Sequence, residues 1–421
     1  MILRQSQPDS RSLTSIVVVG ASLSGLRSAE VMREEGYDGH IVVVGAEEHL
    51  PYNRPALSKQ FLSGEWDEGR VYLRPQEQLD ALDLDFRAGV QAHGLDLERR
   101  SVTLNDGTTI DFDGLVIATG ATDRTLPALE GRPRVFTLRT LDQARALRLA
   151  FKDATTLLII GGGFIGAEVA ATAQVLGIHV CIVEPQPTLM HRGLNREVGE
   201  ALTTFHRQQG IDVRCNTSIT QVTDDGQRTS IVLSDGTVHA PDVIVVGIGA
   251  SPATDWLAKS SIACDNGVVC DEHLRATNVH GSLVPAVVAA GDVARWFSPS
   301  LGSLIRTEHW TNAQDQAANA ARTLLLDLDG RGLEAPTYDP VPYVWSDQFR
   351  KKIQVIGFVE PMDIAHLAKG SFDDGKFLAI MERDGSFVGA VGMAMVPAVI
   401  QARTMLGEGA SLDLALEKLS S

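Results

Sequence analysis

The sequence predicts an α/β protein: two doubly wound domains followed by a small α+β domain. Two observations carry this. A unit of strand, glycine cluster and helix occurs twice, and after the second copy the pattern changes to short apolar runs separated by turns.

The first copy opens with the β-branched run Ile16–Val19 and the turn Gly20-Ala21-Ser22-Leu23-Ser24-Gly25. The second opens with Leu157–Ile160 and Gly161-Gly162-Gly163-Phe164-Ile165-Gly166. Each is followed by a segment of helical spacing and then by an apolar run ending in an acidic turn, Ile41 to Glu47 and Val180 to Glu184. The copies also close alike. Asp106-Gly107 and Asp235-Gly236 mark hairpin turns, and each precedes a buried strand that runs into glycine: Leu115–Gly120 and Val243–Gly249. Strand, glycine turn, helix and strand form a βαβ unit. Two such units imply two dinucleotide-binding domains.

Beyond them, Ala286–Val293 reads as a further buried strand entering a turn, and Thr311 to Leu328 as a helix. Asp329 to Pro342 reads as a linker. Ile353–Val359, Phe377–Glu382 and Phe387–Met395 then form a small sheet, with a last helix from about Ala398. The expected domains are residues 1–120 with 250–331, residues 121–249, and residues 332–421.

Composition narrows the function. The chain has 421 residues, 44% hydrophobic and 21% charged, as in ordinary globular proteins. No apolar run reaches the roughly 18 residues of a membrane span. The polar start Met1–Ser12 lacks the apolar core of a secretory signal, and Asp9 argues against an organellar address. A cytoplasmic protein is expected, with no membrane partner. A net charge of −16 disfavours nucleic acid. Cys181, Cys215, Cys264 and Cys270 form no CxxC pair, so reduced thiols are expected, with no disulfide framework and no metal site.

The glycine turns carry the chemistry. In the second, Gly161, Gly163 and Gly166 complete the dinucleotide fingerprint, and Glu184 follows at the end of the next strand. An acid there accepts bonds from adenosine ribose hydroxyls and repels a 2′-phosphate. No Lys or Arg follows before Arg192. This favours NADH over NADPH. In the first turn, Gly20 permits the tight bend and Gly25 the close helix–strand approach. Ser22 replaces the middle glycine, and its hydroxyl can itself bond a phosphate. Two dinucleotide sites in one chain suggest FAD beside a nicotinamide, the FAD domain being 1–120 with 250–331 and the NAD domain 121–249. Ala118-Thr119-Gly120 and Gly291-Asp292 support this. An Asp at a strand end can accept a bond from the ribityl chain, although alone it reads equally as a helix cap.

Several segments together resemble the NADH-dependent ferredoxin reductases that serve bacterial Rieske dioxygenases and cytochromes P450, almost end to end. They are Gly45–Lys59, Ile160–Glu168, Val183–Pro187, Ala290–Val293, Glu308–Ala313 and Trp345-Ser346-Asp347-Gln348. The resemblance implies a glutathione-reductase-like fold with FAD, NADH and a C-terminal interface domain. It implies that Arg54 and Pro55 contact FAD, and that Lys59 reaches the flavin edge and pairs with Glu168. A lysine near the flavin N5 stabilises negative charge on reduced flavin, and a carboxylate fixes its position. Without the resemblance, Lys59 reads as a solvated surface lysine. The resemblance also places Trp310 beside nicotinamide and isoalloxazine, Glu47 on the FAD ribose, and Arg124 and Val90 on FAD. It adds Ile165, Arg192 and Gly249 to the NAD set. Trp345 is a second aromatic candidate. The chain departs from its relatives at Ala46, where an acid is usual, and at Val344, where an aromatic is.

The implied reaction is hydride transfer from NADH to FAD, then single-electron transfer to a small ferredoxin of [2Fe-2S] type. The reductase would be a monomer or homodimer. A basic patch of Arg350-Lys351-Lys352, joined by Arg295 and Arg306, would steer the acidic carrier, unless it is only a solvated face. Three rivals remain. A disulfide reductase would need a cysteine beside the flavin, and residues 45–75 contain none. A binding flavoprotein of the apoptosis-inducing-factor type would turn over slowly with any carrier. A reductase of rubredoxin would differ only in its carrier.

Overall fold

The computed structural model describes residues 14–224 and 228–420. The polar start lies outside them. The chain divides into two compact units. One comprises the chain up to Tyr52, Leu73–Ala121 and Pro252–Asp339; the other comprises Asn53–Tyr72, Thr122–Ser251 and Pro340–Ser421.

The first unit is built on five parallel strands in the order Leu283–Ala289, Gly114–Ile117, Ser15–Val19, His40–Gly45 and Asp85–Ala88. Ile16, Val17 and Val18 are fully buried, as are Leu115, Val116 and Ile117. Continuous apolar runs of this kind suit a parallel sheet covered on both faces. Helices Leu23–Glu34 and Trp310–Leu328 pack on each other through small residues, among them Ser28, Ala29, Ala317 and Ala320. Ser24 Oγ donates to Ala313 O at 3.1 Å across this seam. The Asp106-Gly107 turn joins antiparallel strands Ser101–Leu104 and Thr109–Asp111, with Gly107 at φ +85°.

The second unit repeats the plan. Its parallel sheet runs Asp212–Cys215, His179–Glu184, Thr156–Ile160, Val243–Val246 and Val135–Phe136. A separate five-stranded antiparallel sheet runs Tyr343–Gln348, Lys351–Gly357, Ser386–Met393, Lys376–Arg383 and Ile364–Ser371. Alternation divides its side chains between two cores. Ile353, Val355, Phe377 and Met393 join the core of the parallel sheet; Ile356, Leu378 and Ile380 pack under the final helices.

Four features differ from the sequence expectation. The small sheet gains two strands, Tyr343–Gln348 and Ile364–Ser371, and Pro340–Ser421, expected as part of a separate domain, falls within the second unit. The single last helix is two, Val396–Gly407 and Leu412–Leu419. The break falls where Gly409 takes φ +70° and Ser411 Oγ accepts from Leu414 N. Residues 53–72, placed by sequence in the first domain, pack in the second unit as a 3₁₀ turn Arg54–Ala56, a π turn Leu57–Phe61 and a 3₁₀ turn Glu68–Val71. No helix among the described residues is long and apolar enough to cross a membrane.

Candidate functional site

Both glycine turns are built the same way. A Cβ on Gly20 would lie 2.1 Å from Ala118 O, and one on Gly25 would lie 1.7 Å from Gly20 O. In the second turn, a Cβ on Gly161 would lie 2.4 Å from Gly247 O, and one on Gly166 would lie 2.3 Å from Gly161 O. These four glycines let strand, turn and helix touch backbone to backbone. The middle position differs. A Cβ on Gly163 would meet nothing within 4 Å, and Ser22 stands there in the first turn.

The helices that follow start without caps. Ser22 and Gly163 give no side-chain cap bond, and neither first turn holds an acid. The same is true of His309 at the start of Trp310–Leu328. By contrast, helices Leu141–Ala150, Arg196–Gln208 and Leu412–Leu419 are capped by Thr140, Asn195 and Ser411, and each carries an acid in its first turn. A helix start with no side-chain cap and no acid in its first turn suits a phosphate. The two turns therefore fit the pyrophosphates of two dinucleotides.

The first unit brings together Gly20, Ser22, Gly25, Glu47, Val90, Ala118, Thr119, Gly120, Gly291, Asp292 and Trp310. Gly20 N donates to Val44 O, and Val90 N to Gly45 O, which ties these strand ends. Glu47 accepts the Tyr52 hydroxyl at 2.5 Å. Thr119 Oγ1 donates to Ala253 O. Gly291 takes φ +81°, and its N–H donates to buried Gln316 Oε1 at 2.7 Å. Gln316 Nε2 and His309 Nδ1 are buried with no hydrogen-bond partner, donor and acceptor capacity that a bound cofactor can use. Trp310 opens its helix and is half-buried. The residues of this unit fit FAD.

The NAD candidates all lie in the second unit, as do Arg54, Pro55, Lys59 and Arg124. Glu184 Oε2 accepts from Gly162 N at 2.6 Å, and Oε1 from Gln186 N at 2.9 Å. The carboxylate is thus fixed at the glycine turn with lone pairs to spare. Gly247 N donates to Ile160 O, and a Cβ on Gly249 would lie 3.8 Å from Arg192 Nη1. Ile165, in the first helical turn, is exposed. Arg124 N donates to Gly249 O, and its Nε to Ser251 Oγ. These residues fit a second dinucleotide. Arg54 Nη1 donates to Arg139 O at 2.7 Å, and Pro55 is the second residue of the 3₁₀ turn.

Lys59 Nζ stands 2.8 Å from Glu168 Oε2, with the side chains 12% and 5% exposed. The π turn that carries Lys59 is anchored twice on helix Phe164–Val175. Ser58 Oγ donates to Glu168 Oε2 at 2.5 Å, and Thr172 Oγ1 donates to Ser58 O at 2.7 Å. Ser346 Oγ donates to the other carboxylate oxygen at 2.7 Å. One-turn π segments recur at functional positions because they rotate a side chain out of helical register. Sequence reasoning missed Ser58, Thr172 and Ser346. The last was within reach. Period-two alternation puts Val344, Ser346 and Gln348 on the face opposite Trp345. Trp345 stacks on Tyr343 at 5.9 Å with Lys352 over its ring, while Val344 packs into the core of the parallel sheet.

Four of the five expected basic residues have partners of their own. Lys351 Nζ donates to Asp374 O and Gly375 O, and Lys352 pairs with Asp347 at 2.8 Å. Arg295 pairs with Asp265, and Arg306 with Glu308.

Residues 14–317 match the pyridine nucleotide-disulphide oxidoreductase family, and residues 343–417 match the reductase C-terminal family. The chain is 34% identical to rhodocoxin reductase of Rhodococcus erythropolis, covering 86% of this chain and 82% of that one. It is also 34% identical to the benzene 1,2-dioxygenase system ferredoxin–NAD(+) reductase subunit of Pseudomonas putida, covering 90% and 88%. Among solved structures, the ferredoxin reductase for the CYP199A2 system of Rhodopseudomonas palustris superposes with a TM-score of 0.87 at 30% identity, covering 97% of this chain and 100% of that one. With two glycine cradles of one design and a match over residues 14–317, the chain belongs to the pyridine nucleotide-disulphide oxidoreductase family and carries a reductase C-terminal domain at residues 343–417.

Proposed function

We propose that this protein is an NADH-dependent FAD flavoprotein that passes electrons to a small iron–sulfur ferredoxin, and that this carrier serves a Rieske or cytochrome P450 oxygenase. The observation that carries the reading is the pair of glycine cradles, one in each unit, with no cysteine in residues 45–75 to route electrons into a disulfide. The relatives named as reductases of ferredoxin support the choice of carrier.

FAD, when bound, takes two electrons as hydride from NADH and releases them singly. The chain supplies position and charge. In this reading residues 1–120 with 250–331 hold FAD, residues 121–249 hold NADH, and residues 332–421 form the interface domain. The uncapped helix starts at Leu23 and Phe164 take the pyrophosphates, Glu47 and Glu184 the adenosine riboses, and Trp310 the ring stack. Lys59, held by Glu168, presents a cation to the flavin edge, where negative charge develops on reduction.

The test is a stopped-flow titration of the FAD-loaded protein with NADH and NADPH, followed by mixing with a [2Fe-2S] ferredoxin. Fast bleaching by NADH and fast re-oxidation by the ferredoxin are expected. Bleaching that no ferredoxin reverses would rule out the carrier assignment. Thiol alkylation of the folded protein is expected to leave both phases unchanged. Burial pushes the Cys181 thiol up to about 12 and raises Cys215 and Cys270 as well, so these are not ready nucleophiles, and exposed Cys264 lies far in sequence from residues 45–75. A lost phase after alkylation would revive the disulfide route.

Cofactor choice gives a further expectation. Glu184→Gln removes the charge that repels a 2′-phosphate and turns an NH₂ toward either Gly162 N or Gln186 N. The ratio of kcat/KM for NADPH to that for NADH is expected to rise about tenfold, mostly through a weaker NADH term. An unchanged ratio, measured with both nucleotides on one preparation, would remove Glu184 from the ribose site.

A further inference from the structure

A line of buried polar groups runs inward from the Lys59–Glu168 pair, all within the second unit. Ser346 Oγ donates to Glu168 Oε1 at 2.7 Å, Gln348 Nε2 lies 2.8 Å from Ser346 Oγ, and Gln348 Oε1 lies 2.6 Å from His206 Nε2. Glu168 is 4% exposed, Ser346 and His206 0%, and Gln348 1%.

Proton counting fixes the direction of each bond. The ionised Glu168 only accepts, so it takes the single hydroxyl proton of Ser346. Ser346 Oγ must then accept from Gln348, which sets the amide with Nε2 toward the serine and Oε1 toward the imidazole. Gln348 Oε1 has no proton to give, so His206 carries its proton on Nε2. Nδ1 is left buried with no hydrogen-bond partner, and the ring packs edge-on to Phe349 at 5.4 Å. A leucine would fill this apolar corner without an orphaned nitrogen. Every dipole in the row points its positive end at one carboxylate.

We propose that His206, Gln348 and Ser346 form a polarised relay that holds Glu168 as an anion in the rotamer facing Lys59, which makes His206 and Gln348 positioning residues for the redox site. This rests on the reading of Lys59 and Glu168 as the flavin-side pair. Burial, only partly offset by the Gln348 hydrogen bond, pushes His206 down to about 4, so the ring stays neutral at ordinary pH. The relay aligns dipoles and moves no proton.

Two measurements on the FAD-loaded protein separate the relay from the reading beneath it. In ring-¹⁵N-histidine protein, the His206 signal, assigned by its loss in His206→Gln, is expected to report the neutral Nε2–H form with a slowly exchanging proton. Glu168→Gln, three hydrogen bonds away and nearly isosteric, is expected to shift that proton upfield. A ring protonated on Nδ1, or a signal unmoved by Glu168→Gln, overturns the relay whatever the activity. Gln348→Met is expected to slow FAD bleaching by NADH about tenfold, the rate equivalent of one hydrogen bond, with KM for NADH unchanged. In a Lys59→Met background the same change is expected to have no further effect. Equal slowing in both backgrounds overturns the positioning role. Unchanged bleaching in Lys59→Met alone overturns the flavin-side reading, and the positioning role with it, while the histidine signal still decides whether the relay exists.

Discussion

Lys59→Met is expected to slow hydride transfer about 100-fold and to destabilise the protein by roughly 3 kcal/mol. The two losses have one origin. The substitution keeps the length and packing of the side chain and removes only the ammonium. Glu168, 5% exposed at its side chain, is then left as a buried anion with the Ser58 and Ser346 hydroxyls as its donors. Two neutral donors do not replace a cation at 2.8 Å. Glu168→Leu is expected to cost a similar amount by stranding Lys59. The double variant Lys59→Met/Glu168→Leu is expected to be more stable than either single one, because a buried ion pair is worth little net against apolar packing. Its hydride transfer should remain slow. Denaturant midpoints and single-turnover bleaching of the four proteins check this. A double variant with restored bleaching would show that the pair serves the fold and not the flavin.

How much of this was legible in the sequence depends on the range of the interaction. The glycine turns, the parallel strands and the Asp-Gly hairpins are local, and each is written within a few residues. The pairing of Lys59 with Glu168 spans 109 positions and came only from family resemblance; no periodicity in residues 54–61 marks the π turn. The relay is less legible still. Ser346 and Gln348 share a strand face by alternation, but His206 sits on a helix with Phe205 and Arg207 as neighbours, and nothing there distinguishes it from a core histidine. The basic run at 350–352 shows the same limit: its charges are plain in the sequence, whereas the carbonyls that hold Lys351 come from residues 374 and 375. Sequence reveals chain-local geometry and leaves distant partners unread.

The glycine turns allow the fold and the ligand to be tested apart. Gly25→Ala is expected to abolish FAD retention and leave mostly insoluble protein. Its Cβ would stand 1.7 Å from Gly20 O, so helix Leu23–Glu34 must leave the strand it rests on, and the seam with Trp310–Leu328 moves with it. Gly166→Ala faces the same obstacle in the second unit, at 2.3 Å from Gly161 O. Gly163→Ala faces none. Its backbone lies at φ −70°, and the new methyl meets no protein atom within 4 Å. Folding and FAD content are expected to stay at wild-type levels, while KM for NADH rises about tenfold or more, because the methyl stands where a pyrophosphate must approach the helix start. Ser22 makes this a sharp test. The first turn already carries a side chain at the matching position, and there a hydroxyl can bond the phosphate that the Cβ crowds. Gly163→Ser is therefore expected to recover part of what Gly163→Ala loses. If alanine leaves KM unchanged, the open space before helix Phe164–Val175 is not the nucleotide's, and the NADH site must be sought elsewhere.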